Sequence, residues 1–380
     1  MKKKMAFVDL TNFKDWPMGG MLEYELSILP GLCDHYDVDV FGYSVNGIAP
    51  SDLHINGKVY PVYSCGNCST GSRLVPNFWR GLSLLRSKKV FEPYDVIYVH
   101  TGSCMTALSK IVNKKKTKLI YHQHGLNHQK DFQLRSLIQR PFLNWAQKAS
   151  DLVFVVSDEQ SVVKYVNEKY ANSLTKYVAI GSPINLSKFN FDKIQDRVSK
   201  INGVAKKFVY TGRLTGFKNV KLLVKAFALY VQNECSDAIF NIAGTGEEFD
   251  LLKKMSRELN VEDNVNLLGF VPHDEIYALL ETSDVFLTAS GGEGWSVSVL
   301  EANASGLPII CGRVPGLEKQ VIDGQTGMFV DNFSPQSFYN KMVELNGKRH
   351  DISENCMNYA KQFDSVIITS KIVENIDGLF

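Results

Sequence analysis

Short apolar runs alternate with longer stretches of helical periodicity along this whole chain. The runs are residues 5–10, 38–43, 96–100, 119–122, 152–156 and 176–180 in the first half and 208–211, 239–243, 265–268, 285–288 and 308–311 in the second. A short run without polar alternation is typical of a strand buried on both faces, and such strands separated by helices form parallel βαβ units. The sequence therefore predicts an α/β protein.

The length predicts two domains, because 380 residues exceed what one hydrophobic core usually serves. A boundary is expected at Gly181-Ser182-Pro183-Ile184-Asn185, where a strand-like run gives way to a polar, lysine-rich stretch. We expect two doubly wound Rossmann-like domains, residues 1–183 and 184–364, facing each other across a cleft. The final helical stretch, 365–380, is expected to pack back on the first domain. Ligands of such sheets bind beyond the carboxyl ends of the strands.

The composition excludes several classes of protein. With 44% hydrophobic and 22% charged residues, the chain cannot be disordered, collagen-like or a coiled coil. No apolar run approaches the ~18–20 residues of a membrane span, and the apolar stretch after the basic start is too short for a signal-peptide core. We therefore expect a cytoplasmic protein. Its seven cysteines are expected to be mostly reduced, with Cys65-Gly66-Asn67-Cys68 in a plain loop instead of a zinc or redox pair.

The charge is unevenly distributed although the net charge is only +2. Residues 1–183 hold 22 lysines and arginines against 15 acidic residues, whereas the remainder holds 20 against 25. Basic residues interleave with aromatic ones in residues 73–94 and 130–148. This pattern suits an anionic membrane surface or an anionic acceptor, and an ordinary solvated face with packed aromatics is the alternative.

The strongest local motif is Ser290-Gly291-Gly292-Glu293-Gly294-Trp295-Ser296-Val297, which follows the strand-like run 285–288 and opens a helix. A glycine-rich turn from strand to helix exposes N–H groups at the positive helix end, where anions bind. Glu293 stands just before this helix, and Glu301 lies on the helix about two turns further along the chain. Two carboxylates near a helix start can accept hydrogen bonds from sugar hydroxyls.

A second motif, Tyr210-Thr211-Gly212-Arg213-Leu214-Thr215-Gly216-Phe217-Lys218, also lies at the carboxyl end of a strand. Arg213 and Lys218 are candidates for binding phosphate oxygens, arginine through its planar fork and lysine as a point charge. Either motif alone could be an ordinary loop. Their occurrence at strand ends of one domain favours a nucleotide site.

These motifs resemble the GT-B glycosyltransferases of family four (glycosyl transferases group 1), the retaining class that uses nucleotide-sugars. The resemblance covers most of residues 205–335 and includes Glu293 and Glu301 as Glu-x7-Glu, the pair Arg213 and Lys218, and the segments 243–246, 268–272, 304–310 and 321–327. The first half is less similar and contributes Gly19-Gly20 and His124-Gly125.

The resemblance implies roles for the matching residues. His124, Arg213, Lys218 and Glu293 would be catalytic. The donor-binding residues would be Gly19, Gly20, Gly212, Gly244, Phe270, Val271, Gly294, Trp295, Ser296, Val297 and Glu301. Among them, Glu301 would hold the ribose and the backbone of Phe270 and Val271 would meet the base. Trp295-Ser296 replaces the usual Phe-Gly, which leaves the transferred sugar open.

No metal or other cofactor is expected, because the cationic side chains and a helix end supply positive charge at the phosphates. Asp37-Val38-Asp39 resembles a metal-binding Asp-x-Asp, but it leads into a strand and so lies at the amino end. The terminal residues of two other runs, His100 and His122, are interpreted as structural histidines.

The sequence thus predicts a retaining hexosyltransferase that moves a sugar from UDP- or GDP-sugar to a saccharide or lipid-linked saccharide in bacterial surface polysaccharide synthesis. Its partners would be the donor, the acceptor and the anionic inner face of the cytoplasmic membrane, with no nucleic acid. Two alternatives stay open: a non-catalytic nucleotide-sugar-binding protein and a nucleotide-sugar epimerase of the same fold.

Overall fold

The structure, a computed structural model, describes residues 2–13, 20–45, 47–55, 57–68, 80–125, 134–171 and 173–380. These residues form two compact units. The first unit contains Met1–Pro183 and Ser365–Phe380, and the second contains Ile184–Asp364. Gly19 lies outside the described residues, as do the aromatic residues Phe78, Trp79 and Phe132.

The first unit is built on a parallel sheet of seven described strands in the order β5-β2-β1-β6-β7-β8-β9. These strands are β1 (Lys4–Val8), β2 (Asp37–Val45), β5 (Val62–Cys68), β6 (Val96–Val99), β7 (Lys118–Gln123), β8 (Leu152–Val156) and β9 (Lys176–Ile180). Every residue of β6 and β8 is buried, as expected for strands covered by helices on both faces.

Helices link these strands in the right order for a doubly wound sheet. They are α1 (Gly20–His35), α2 (Lys88–Phe91), α3 (Gly102–Ile111), α4 (Leu134–Ala149) and α5 (Glu159–Lys169), with a 3₁₀ turn at Gly81–Arg86. The start of α5 is fixed by Asp158, whose carboxylate accepts the Ser161 N–H at 3.0 Å. Such N-caps satisfy an otherwise unpaired helix donor.

One expectation is wrong: Cys65-Gly66-Asn67-Cys68 lies in the edge strand β5 and not in a loop. A short antiparallel hairpin of β3 (Leu53–Ile55) and β4 (Lys58–Tyr60) precedes it. β5 contains polar residues and so lacks the continuous apolar run that predicts the central strands. An edge strand need not be apolar on both faces. Cys65 is a free thiol, and burial raises its pKa to about 12. A thiol that stays protonated at neutral pH is a poor nucleophile for redox chemistry and a poor metal ligand.

The last helix, α13 (Ser365–Asp377), belongs to the first unit and packs on α1. The two helices approach closely at Gly31, where an added Cβ would lie 2.7 Å from Cγ2 of Thr369. Asp377 pairs with Lys3 at 3.3 Å and accepts the Tyr36 hydroxyl at 3.0 Å. These contacts tie the C-terminal segment to the amino edge of the first sheet.

The second unit contains a parallel sheet of six described strands in the order β12-β11-β10-β13-β14-β15. These strands are β10 (Lys207–Thr211), β11 (Ile239–Ala243), β12 (Val265–Gly269), β13 (Val285–Thr288), β14 (Ile309–Gly312) and β15 (Gly327–Val330). Its larger core contains an aromatic cluster, in which the Phe208 ring meets Phe227 and Tyr230 at 5.5 and 4.9 Å.

The helices of the second unit cover both faces of this sheet. They are α6 (Phe191–Ser199), α7 (Val220–Asn233), α8 (Phe249–Glu258), α9 (His273–Glu281), α10 (Val297–Ala304), α11 (Pro335–Leu345) and α12 (Arg349–Lys361). Eight residues connect β13 to α10, and this connection carries the glycine-rich motif. Both units thus present loops at the carboxyl ends of parallel strands, where ligands of such sheets bind.

Helices of the described ranges include none that is both long and apolar enough to cross a bilayer. The described part of the basic, aromatic stretch 73–94, which begins at residue 80, is only partly exposed to solvent. Phe91 is fully buried, and Arg80 donates to the Asn67 carbonyl at 3.0 Å. Arg86, Lys88 and Lys89 are exposed.

Candidate active site

Three loops at the carboxyl edge of the second sheet are joined by main-chain hydrogen bonds. After β10, the Gly212 N–H donates to Ala243 at 3.0 Å and the Leu214 N–H donates to Thr245 at 2.8 Å. After β13, the Gly291 N–H donates to Phe217 at 2.9 Å. Because each loop is held by its neighbour, the groups that they carry are fixed before any ligand binds.

Glycine is required in these loops by the closeness of the backbones. A Cβ at Gly244 would lie 1.8 Å from the Gly212 oxygen, and one at Gly246 would lie 2.2 Å from the Leu214 oxygen. Similarly, a Cβ at Gly316 would lie 2.1 Å from the Glu293 oxygen. Only glycine lets chains approach this closely without displacement.

Lys218 and Glu293, which the sequence assigns to phosphate and sugar, are in direct contact. The Lys218 ammonium pairs with Oε1 of Glu293, and both side chains are largely buried, with 20% and 14% exposed. Lys218 lies just before α7 and Glu293 lies in the loop after β13, so the fold joins residues 75 positions apart. This ion pair lies at a helix start next to glycine-rich loops. It can offer a positive group to the phosphates of a ligand and a hydrogen-bond acceptor to its hydroxyls.

Arg213 is exposed in the loop that follows β10. Its main-chain oxygen accepts the Tyr210 hydroxyl at 3.0 Å. Burial raises the pKa of Tyr210, the charge of Glu293 raises it further, and the charge of Arg213 opposes them. The two charged groups therefore act on the same hydroxyl from nearby positions.

The N-terminus of α10 is fixed by Ser296 and the buried Gln320. Gln320 accepts the Ser296 N–H at 2.6 Å and donates back to the Ser296 oxygen at 2.8 Å. The Ser296 hydroxyl accepts the Val299 N–H at 3.4 Å. The resemblance assigns Ser296 to donor binding, but its N–H is already bonded to Gln320. The N–H groups of Val297 and Ser298, next along the helix start, are therefore the candidates for binding an anion.

His273, which sequence reasoning missed, contacts Glu301. Its Nε2 lies 2.6 Å from Oε1 of Glu301, a carboxylate that is only 4% exposed. His273 is the first residue of α9, directly after the Gly269-Phe270-Val271-Pro272 segment. The sequence signal was an imidazole at a helix start next to a motif already assigned to the base.

Two other donor-site candidates differ in their surroundings. The Trp295 ring packs edge-on against Phe363 at 5.4 Å, so part of this large side chain is used in packing within the second unit. The Phe270 ring is 67% exposed. Gly294 lies in the connection from β13 to α10, and Val297 is the first residue of α10.

At the carboxyl edge of the first sheet, His124 follows β7 and contacts His100, which follows β6. Nε2 of His124 lies 2.9 Å from Nδ1 of His100. The buried His122 takes part in this group by stacking on His100 at 5.0 Å, and its Nδ1 lies 2.6 Å from the Tyr98 hydroxyl. The structural interpretation of His100 is therefore incomplete, because its imidazole touches the candidate catalytic histidine. Gly20 is the exposed first residue of α1.

Two buried carboxyl groups adjoin these histidines. Burial raises the pKa of Asp9 to about 6, although the Thr101 hydroxyl donates to it. Burial raises the pKa of Glu25 well above its ordinary value, and the charge of Asp9 adds to this effect. Burial and the nearby His124 lower the pKa of both His100 and His122. The sequence signal for Glu25 was an acidic residue among the buried positions of α1.

Asp37-Val38-Asp39 begins β2, at the amino end of the first sheet. Asp39 accepts the Tyr94 hydroxyl at 2.7 Å. The motif therefore lies at the opposite edge of the sheet from His124, and the Asp39 carboxylate serves to anchor a tyrosine.

Two family models match the chain in succession. The model described as Glycosyltransferase Family 4 matches residues 18–186, and the one described as Glycosyl transferases group 1 matches residues 191–363. The gap between the two matches, residues 187–190, lies a few residues after the division between the two units.

Curated relatives are distant in sequence. A D-inositol 3-phosphate glycosyltransferase of Corynebacterium glutamicum is 27% identical over 221 residues, and the match spans about half of each chain, 53% of both. The UDP-Gal:alpha-D-GlcNAc-diphosphoundecaprenol alpha-1,3-galactosyltransferase of Escherichia coli is 24% identical, and the match covers 80% of this chain and 81% of that protein.

Among solved structures, HepE of Anabaena in complex with UDP is similar over 100% of both chains, with a TM-score of 0.73 and 20% identity. This likeness confirms the predicted GT-B fold. Since the family models together span nearly all of the chain, the expectation from the sequence motifs is also confirmed: the protein belongs to the family-four glycosyltransferases of group 1.

Proposed function

We propose that this protein is a retaining, metal-independent glycosyltransferase. It transfers a hexose from a UDP- or GDP-sugar to a saccharide or lipid-linked saccharide of a bacterial surface polysaccharide. The Lys218–Glu293 pair carries this proposal, because it sets a cation and a hydroxyl acceptor side by side at the loops where such sheets bind ligands. The binding of UDP by the Anabaena neighbour and the UDP-Gal donor named for the Escherichia coli relative favour a uridine donor.

In the proposed reaction the bond between the anomeric carbon and the β-phosphate oxygen breaks, and the acceptor oxygen bonds to that carbon from the same face. The acceptor proton moves to the departing phosphate, so no protein base is needed. Negative charge grows on the leaving diphosphate as the bond breaks. Groups that are in place before the reaction stabilise this charge best, since they need no reorganisation.

Arg213, Lys218 and the N–H groups of Val297 and Ser298 supply this stabilisation. Glu293 is paired with Lys218 before the donor binds. When Lys218 binds a donor phosphate, the Glu293 carboxylate accepts hydrogen bonds from the sugar hydroxyls instead. The two residues thereby hold the phosphate and the sugar on either side of the bond that breaks.

Glu301 holds the ribose in this scheme, and the backbone at Phe270 and Val271 holds the base. Because Oε1 of Glu301 already contacts His273, the second oxygen, Oε2, is the acceptor for a ribose hydroxyl. Gly20 contributes its N–H group toward the donor phosphates, and His124 binds the transferred sugar.

The acceptor is proposed to be a lipid-linked saccharide at the inner face of the cytoplasmic membrane. The diphosphoundecaprenol acceptor named for the Escherichia coli relative supports this proposal. The exposed Arg86, Lys88 and Lys89 supply positive charge in the first unit for an anionic surface.

A thermal-shift panel of UDP, GDP, ADP and CMP sugars tests the donor. A ligand at ~100 times its Kd adds ~2.7 kcal/mol of stability, which gives a measurable rise in melting temperature. We expect one uridine or guanosine sugar to give this rise, and failure of both classes would contradict the proposal.

The preferred donor is then incubated with a lipid-linked or soluble saccharide, and the product linkage is measured by NMR. Transfer with the donor's anomeric configuration, undiminished by EDTA, is the expected result. Inversion or full loss of activity in EDTA would refute the retaining or the metal-independent part, respectively. Epimerised donor, or donor binding without any reaction, would favour one of the two alternatives.

A further inference from the structure

Three potential metal ligands converge from three elements at the carboxyl edge of the first sheet. They are Glu25 on α1, His100 after β6 and His124 after β7. One ligand atom from each lies within 4.8 Å of the other two. Nδ1 of His100 is 2.9 Å from Nε2 of His124 and 3.6 Å from Oε1 of Glu25.

The Glu25 carboxyl group is the anomaly that points to a ligand. Its side chain is 1% exposed, and neither oxygen has a hydrogen-bond partner among the described residues. The distance from Glu25 to His100 is too long for a hydrogen bond. Buried carboxylates are normally paired, hydrogen-bonded or bound to a metal ion.

Three other polar atoms near Glu25 are also buried without a hydrogen-bond partner in the described part of the chain. Oδ2 of Asp9 and Nε2 of both His100 and His122 are buried and have no partner among the described residues. A cation at the centre of the group would attract both carboxyl groups. It would also replace the proton that His100 and His124 now share.

We propose that Glu25, His100 and His124 form a binding site for one divalent transition-metal ion of the Zn²⁺ type. Two imidazole nitrogens and one carboxylate oxygen form a common zinc ligand set with a fourth position for water or another ligand. Imidazole ligands favour Zn²⁺ over Mg²⁺ and Ca²⁺, which prefer oxygen. None of its three ligands is among the groups proposed to bind the diphosphate, which are Arg213, Lys218 and the start of α10 in the second unit and Gly20 in the first.

Bound Zn²⁺ is an inhibitor in this proposal, a consequence that rests on the proposed function. His124 binds the transferred sugar, and a metal ion on its Nε2 fixes the ring and withdraws its electrons. Zn²⁺ at equilibrium with the site therefore lowers the transfer rate, and EDTA restores it. Mg²⁺ has no such effect.

The test is a calorimetric titration of the full-length, EDTA-treated and desalted protein with zinc chloride. We expect one ion per chain and no saturable binding of magnesium chloride. Glu25→Gln, His100→Asn and His124→Asn should each weaken binding by at least ~10-fold, because even residues that only orient a metal ligand have effects of that size. The matched control is His54→Ala, an exposed histidine of the same unit, which should bind as the wild type does.

Zinc K-edge absorption of the wild-type complex gives a readout that does not depend on whether variants fold. Two imidazoles and no sulfur in the ligand shell are expected. No saturable binding, a sulfur-containing shell or undiminished affinity in all three variants would overturn the site. Transfer activity is measured separately, so a protein that binds Zn²⁺ as predicted but transfers no sugar would refute the proposed function and leave the metal site standing.

Discussion

Both sheets have carboxylates at the carboxyl ends of their strands, but the two sets differ in whether they are paired. At the second sheet the carboxylates are paired, Glu293 with Lys218 and Glu301 with His273. At the first sheet Asp9 and Glu25 are buried. Oδ2 of Asp9 and both carboxyl oxygens of Glu25 have no hydrogen-bond partner among the described residues. The paired edge is organised before a ligand arrives, whereas the unpaired edge stores an electrostatic cost that a proton or a cation can relieve.

This difference has a consequence for what mutations measure. Substitutions at the paired edge should change binding and turnover, because these paired groups lie where the ligand is proposed to bind. Substitutions at the buried edge should change stability and its pH dependence.

The largest effect is expected at Lys218 and Arg213. Changing either to Ala should lower turnover by ~10²–10³, the usual loss for one preorganised charge donor. Loss of Lys218 also leaves the Glu293 carboxylate facing the phosphates. Initial rates at saturating donor measure the effect, with Lys225→Ala as control, since Lys225 is an exposed lysine on α7. Rates within tenfold of the wild type would refute the phosphate assignment.

The next effect concerns Asp9, whose pKa of about 6 in the folded state exceeds its ordinary value of 3.8. The folded state therefore binds the proton more tightly, and the stability that this supplies at acidic pH is lost as the pH rises through about 6. Asp9→Asn has no such loss. Between pH 4 and pH 8 its stability should rise relative to the wild type by on the order of 3 kcal/mol.

Urea unfolding at the two pH values in metal-free buffer measures this change. The control is Asp52→Asn, an exposed carboxylate of the same unit, which should show no comparable pH-dependent gain. A difference between Asp9→Asn and the wild type that stays constant with pH would mean that Asp9 ionises normally, and the contrast between the two edges would weaken.

Glu301→Ala should weaken binding of the free nucleoside diphosphate by ~1.5–3 kcal/mol, the range for a hydrogen bond to a charged group. His273→Ala is the matched partner change, and it should not weaken binding because it frees Oε1 of Glu301. Calorimetry of both variants measures the effects. Unchanged affinity in Glu301→Ala would remove its ribose role, and a loss confined to His273→Ala would transfer that role to the histidine.

The smallest effect per residue is expected at the exposed basic residues of the first unit. Replacing Arg86, Lys88 and Lys89 with Ala should reduce binding to acidic vesicles by ~1 kcal/mol per residue at low salt, and the difference should fade as salt screens the charges. Donor hydrolysis should not change. Lys253→Ala with Lys254→Ala, on α8 of the acidic second unit, is the control. A wild-type protein that ignores acidic vesicles at low salt would end the membrane proposal.

The sequence predicted the central strands well because they are buried on both faces. Continuous apolar runs as short as those of β6 and β8 can form few structures other than buried strands in a protein of this composition. It failed at β5, which carries Ser64, Cys65 and Asn67, and at β15, and both of these strands lie at the edge of a sheet. At these positions the neighbouring strand decides the conformation.

Local chemistry also predicted part of the site. The glycine turns before α7 and α10 are evident in the sequence. The structure adds a reason for the glycines after β11 and β14, since side chains at Gly244 or Gly316 would collide with the backbone of the turns after β10 and β13. The use of the Ser296 N–H by Gln320 could not be predicted, because these residues meet only after the chain has folded around β14.

By itself the sequence determined the α/β class, the glycine-rich strand ends and the family, because each depends on residues close together in the chain. The tertiary structure decided which charges meet. Lys218 pairs with Glu293 and Glu25 faces His100, residues 75 positions apart in both cases. Strand order brings such residues together, and strand order is a property of the whole sheet that no local pattern encodes.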